Sequence, residues 1–168
     1  GADNVFGEVP VLSKAVEALI TDAPAEVQAV LRSELSRYPR SLTSKITRIE
    51  GVSGAENVSQ LRGHIRLEFA DIKGLDSQLA HELGHLHYET SEAVESTFLS
   101  AVQGKIHPSR AKELYAEAFE EFVTGKKVDL SRVPANLRGI PSEEMSPELF
   151  NLAKDFVAKE KLEVGKAV

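Results

Sequence analysis

Apolar residues recur at helical spacing in two stretches near the start of the chain: Val11, Val16, Leu19 and Ile20, then Val27, Val30, Leu31 and Leu35. This spacing predicts helices over Val11 to Ile20 and Pro24 to Tyr38, the second opened by Pro24. The period then changes. Lys45 to Val52 and Gly63 to Phe69 carry alternating apolar positions (Ile46, Ile49; Ile65, Leu67, Phe69), separated by the breakers Gly51, Ser53, Gly54 and Asn57, and read as two strands that pair.

Helical spacing returns after them. Asp76 offers a cap ahead of Leu79 to Tyr88, a second helix is predicted over Glu92 to Val102, and Pro108 opens a third that reaches Val123 before Gly125. Gly125 to Glu144, broken by Pro134 and Pro141, reads as a long connection, and Ser146 with Pro147 starts a last helix through Leu149, Leu152, Phe156 and Val157. The expected class is α+β, mostly helical with a small sheet, in one domain over 1–168: a helical N-terminal part (1–60), a central part (61–125), and a C-terminal connection and helix (126–168).

Composition narrows the chemistry. The 168 residues include no cysteine and five histidines, so disulfides, thiol catalysis and Cys-rich zinc sites are excluded, and any metal must be held by His and carboxylates. No apolar run is long enough to cross a bilayer, so no membrane span is expected. A net charge of −6 opposes binding to a phosphate backbone, so nucleic acid is not an expected partner. The chain opens on Gly1 and Ala2 without a basic and apolar leader, as expected of a mature product or an expressed fragment. The acid is concentrated: eight glutamates against Lys105, Arg110 and Lys112 fall between His81 and Val123.

Within that segment His81, Glu82, Leu83, Gly84 and His85 spell H-E-x-x-H, a pattern that this composition would produce by chance roughly 0.02 times. On a helix, side chains four apart share a face, so both imidazoles can reach one metal ion, while Glu82 lies about 100° away and can address a metal-bound water. Leu79, Leu83 and Leu86 take the opposite side for packing. A catalytic zinc needs a third protein ligand. The third histidine of the metzincin extension would fall at Ser91, which excludes that subclass. Glu113, Glu117, Glu120 and Glu121 are the candidates, one acidic stripe opposite Tyr115, Ala118, Phe119 and Phe122; spacing alone does not choose among them, and a solvated acidic face would have the same periodicity.

The motif, followed by Glu113, Leu114, Tyr115, Ala116, Glu117, Ala118 and Phe119, resembles the catalytic core of anthrax lethal factor and the clostridial Pro-Pro endopeptidases, a branch of the gluzincins. The likeness runs from about Ile65 to Phe122. It implies a zincin-like fold with an active-site helix, a Zn²⁺ ion held by His81, His85 and Glu113, and Glu117 as the acid that orients a ligand histidine. It also implies a protein or peptide substrate bound in extended form against the strand Gly63 to Phe69. Those enzymes carry a tyrosine seven residues before the Glu ligand; here the position is Ile106. His107 beside it and Tyr88, on the helix side of His81 and His85, are the candidate donors to a transition-state oxyanion.

The other histidines have plainer readings. His87 lies about 160° from His85 and cannot join its ligand face, and His64 at a strand start suits surface or cleft placement. Lys126, Lys127, Arg132 and Arg138 read as solvated surface. The expectation is a zinc endopeptidase in which Glu82 takes a proton from the attacking water and passes it to the leaving amine. The resemblance favours a secreted or delivered effector, toxin-like or phage-encoded. The alternative is a noncatalytic zincin-like interaction domain, favoured by the missing tyrosine and opposed by Glu82.

Overall fold

The computed structural model describes residues 12–53, 62–128 and 147–165. Val11, Gly54, Asn57, the stretch from 129 to Ser146, Arg132 and Arg138 lie outside them. The described chain is mostly helical with a two-stranded sheet, an α+β arrangement. It divides into two compact units, residues 1–79 with 163–168 and residues 80–162.

In the first unit α1 (Lys14–Leu19) is capped by Ser13, whose hydroxyl accepts from the Val16 N–H at 3.3 Å. Pro24 precedes α2 (Ala25–Leu35), and a single turn, α3 (Arg40–Thr43), follows Pro39. That turn is too short to leave an apolar period, and the sequence does not predict it. The two strands, β1 (Arg48–Gly51) and β2 (His64–Leu67), pair as expected, in parallel, with Arg48 opposite His64 and Gly51 opposite Leu67. Ile65 and Leu67 point into a core shared with Ile20, Val27, Leu31, Leu35 and Leu42. The tail closes on this unit: the Gly165 N–H donates to the Arg37 carbonyl at 2.7 Å, and Arg37 Nε donates to the Gly165 carbonyl at 2.9 Å.

The helix bearing the histidines, α4 (Leu75–Thr90), begins four residues before the predicted Leu79. Asp76 is not its cap: it lies in the first turn and accepts from the Ser77 N–H at 2.8 Å. Asp71 does the capping, since its carboxylate accepts from the Gly74 N–H at 3.2 Å and closes a 3₁₀ turn, Ile72–Gly74, that runs straight into α4. Gln78 fixes the start of α4 to the end of β2 by accepting from the Glu68 N–H at 2.7 Å and donating to its carbonyl at 3.3 Å.

The second unit holds the rest of α4 with α5 (Glu92–Ala101), α6 (Pro108–Thr124) and α7 (Pro147–Lys159). Ser91 caps α5, and Gly125, in the left-handed conformation at φ 70°, ends α6. Phe98 of α5 stacks edge-on against Tyr115 of α6 and Phe156 of α7 at 5.4 and 5.2 Å between ring centres. Lys154 of α7 pairs with Glu121 at 2.9 Å. One apolar position departs from the pattern: Phe122, assigned to the packed face of α6, is 44% exposed.

Candidate metal centre

Two helices supply the site, and a glycine sets how closely they approach. Leu79, Leu83 and Leu86 are buried, as the motif's leucine side requires, and Gly84 lies against α6. A Cβ on Gly84 would stand 3.0 Å from the Ala116 Cα and 2.9 Å from the Phe119 Cβ, so a larger residue would hold the helices apart. Residues on either side of Gly84 in the motif are thereby pressed towards the acidic stripe of α6. In the sequence Gly84 is an unspecified position of the motif, signalled only by small residues that face each other on two amphipathic helices.

At the contact, His81 Nε2 and His85 Nε2 lie 3.1 Å apart. Glu113 Oε1 is 3.0 Å from the first and Glu113 Oε2 is 3.0 Å from the second. The far side of the His81 ring meets two more acids, with Nδ1 3.4 Å from Glu117 Oε1 and 3.4 Å from Glu120 Oε1. The acidic stripe of α6 therefore does not lie open to solvent here: the side chains of Glu113, Glu117 and Glu120 are only 11, 14 and 12% exposed. Glu121 points elsewhere, accepting from the Val128 N–H at 3.1 Å and pairing with Lys154.

Donor chemistry and spacing suit a divalent cation. Ligand atoms about 2.0–2.1 Å from a tetrahedral zinc are about 3.3–3.4 Å from one another, close to the 3.0 to 3.1 Å separations among these nitrogens and carboxylate oxygens. Glu113 Oε1, 3.0 Å from His81 Nε2, is buried with no aligned hydrogen-bond donor among the described residues, a demand that a cation between the groups would meet. The two imidazole nitrogens, 3.1 Å apart and each 3.0 Å from a Glu113 oxygen, are satisfied together by protons shared with that carboxylate or by a metal ion.

Electrostatics in the metal-free chain follow from this crowding. Burial disfavours a charged His81, but close contact with Glu113 and Glu120 and the charge of Glu117 overcome it and hold the imidazole well above its ordinary value. Burial likewise works against a charged Glu113, and the two histidines outweigh it, holding the carboxyl well below the usual range. Glu82 behaves differently. Its carboxyl is pushed up by burial, against the opposing pull of His85 and His81.

The remaining candidates are put to other uses. His107 is the N-cap of α6: its Nδ1 accepts from the Ser109 N–H at 3.2 Å and lies 2.7 Å from the Ser109 hydroxyl. Tyr88 is 3% exposed and packs edge-on against Phe98 and beside Tyr115, its hydroxyl buried without a hydrogen-bond partner among the described residues. Neither belongs to the groups of described residues whose donor atoms converge as a metal would require, which are His81, His85 and Glu113, and His81, Glu117 and Glu120. Ile106 is buried. His87 packs near the rings of Tyr115 and Phe119, and His64 lies 3.7 Å from Glu50 within the two-stranded sheet. Lys126 and Lys127 are exposed. No helix among the described residues is long and apolar enough to cross a membrane.

No protein-family model, curated protein or solved structure matches the chain.

Proposed function

We propose that the chain is a zinc-dependent endopeptidase domain of the zincin type, with His81, His85 and Glu113 holding the ion. The observation that carries this reading is the meeting of two imidazole Nε2 atoms and one carboxylate within 3.0 to 3.1 Å of each other, with Glu82 next to the first ligand and outside the contact. When bound, zinc supplies Lewis acidity, polarising a scissile carbonyl and lowering the pKa of a coordinated water towards neutrality.

The protein's own groups supply proton transfer and orientation. Glu82 accepts a proton from the water as its oxygen bonds to the carbonyl carbon, and returns that proton to the amine nitrogen as the C–N bond breaks. Its upward shift by burial brings the carboxyl nearer the pH at which it can both take and give a proton. The role of orienting acid that the resemblance gives Glu117 is supported by its Oε1 lying 3.4 Å from His81 Nδ1, the ring nitrogen that faces away from His85. Extended peptide substrate and a secreted or delivered role belong to the same reading, and both rest on the resemblance.

A second reading, a noncatalytic zincin-like interaction domain, is favoured by the uses found for His107 and Tyr88. One caps a helix through its Nδ1 and the other is packed among aromatic rings, and neither joins the converging donor groups of the described residues. Incubating the purified chain with a broad peptide library, with zinc and with a chelator, separates the two readings. Cleavage that the chelator abolishes supports the peptidase; stoichiometric zinc without any cleavage supports the interaction domain.

A further inference from the structure

The His81 ring is unusual in having two carboxylates, not one, at the nitrogen that faces away from His85. When Nε2 serves as a ligand, Nδ1 carries a single proton and can make one strong hydrogen bond. Glu117 Oε1 and Glu120 Oε1 stand at the same distance from it, 3.4 Å, three residues apart on one face of α6 and almost equally buried. Spacing along the helix explains how both arrive: positions 113, 117 and 120 follow one line along α6, so the stripe that ends at Nε2 through Glu113 continues to Nδ1 through the other two.

We propose that Glu120 is a second positioning residue for His81, interchangeable with Glu117 as acceptor of the Nδ1 proton, so that either acid alone fixes the tautomer and the ring plane. The inference rests on the zinc reading above. Two acceptors at equal distance keep the proton on Nδ1 whichever of them is engaged, leaving the Nε2 lone pair directed at the metal position. The surplus negative charge strengthens the imidazole as a donor.

The test compares Glu117→Ala, Glu120→Ala and the double variant of the full chain, after thermal melts show that each folds. Zinc affinity is measured by competition with a chromogenic chelator, and ligand geometry by the visible absorption of the cobalt-substituted protein. Each single variant is expected within about 3-fold of the unmodified chain, and the double variant is expected to lose about 10–100-fold, with a changed cobalt spectrum. Glu120→Gln in the Glu117→Ala background should keep the spectrum of the unmodified chain, unlike the double alanine variant, because an amide oxygen still accepts the proton. Independent losses that multiply in the double variant overturn the proposal, as does a Glu117→Ala loss equal to that of the double. Two zinc equivalents per chain also overturn it, since His81, Glu117 and Glu120 would then be a cation site in their own right. If the unmodified chain takes up no zinc, the reading beneath the inference falls with it.

Discussion

Gly84 and Ala116 bring two helices together with no room for a side chain between them, a Cβ on the glycine meeting the Ala116 Cα at 3.0 Å. Backbone and a Cβ, unlike the end of a flexible side chain, cannot swing aside. Gly84→Ala would gain up to about 1 kcal/mol of helix propensity and lose about 1–3 kcal/mol to overpacking. The expected net result is a lower melting temperature and weaker zinc binding, because the displaced helices no longer bring Glu113 to both histidines. Thermal melts with and without zinc check this, and an unchanged zinc affinity would separate the glycine from the site.

Zinc should stabilise the chain in proportion to how well its ligands hold it. At a free concentration 100 times the dissociation constant the gain is about 2.7 kcal/mol, which a chelator should remove. Glu113→Gln, which keeps the shape and removes the charge, should weaken zinc binding far more than Glu117→Gln. Competition titrations of the two variants decide the point, and the reverse order would mean that Glu113 is not the ligand.

Glu82→Gln should bind zinc stoichiometrically, keep the melting profile of the parent, and lose about 10²–10⁴-fold in peptide cleavage, the range that a positioned proton acceptor contributes. Equal turnover by the variant would remove Glu82 from the reaction.

Protons and zinc compete for the same nitrogens. His81 lies above its ordinary 6.5 in the metal-free chain, because the acids around it outweigh burial, so its stabilising contribution is full below that value and lost as pH rises through the folded-state value. Glu113, below its ordinary 4.5, contributes above that value and loses the contribution as pH falls through its own lowered value. Together they favour the metal-free fold most between pH 4.5 and 6.5. Zinc requires a neutral imidazole, so its apparent affinity should climb with pH above neutrality and its binding should release a proton. Calorimetry in buffers of different ionisation enthalpy measures that release; a binding heat independent of buffer would show that His81 is already neutral.

The helices carrying the site were legible because their periods are long and their ends are marked. Pro108 opens α6 and Gly125 closes it as read from the sequence, and the strands pair where alternation places them. Asp76 misled because an acid ahead of an apolar run looks like a cap, whereas the 3₁₀ turn that Asp71 closes has no period to betray it. The acidic stripe shows the deeper limit. Glu113, Glu117 and Glu120 have the same sequence signature whether they face water or another helix, and only the fit of Gly84 against α6 turns them towards the histidines. Glu121, one position on, turns instead to Lys154 of the last helix, a partner more than thirty residues away that no local pattern reveals.

The division of the proposed ligands between α4 and α6 would make metal uptake depend on two helices meeting. His81 and His85 can be brought side by side by one helix forming alone, but Glu113 joins them only when α6 packs against α4. On the zinc reading, tight capture would report helix docking rather than helix formation: during refolding, uptake of the metal should lag the far-ultraviolet signal of the helices. An ion bound only by the two histidines of α4 would be held loosely enough to exchange until that late step closes over it.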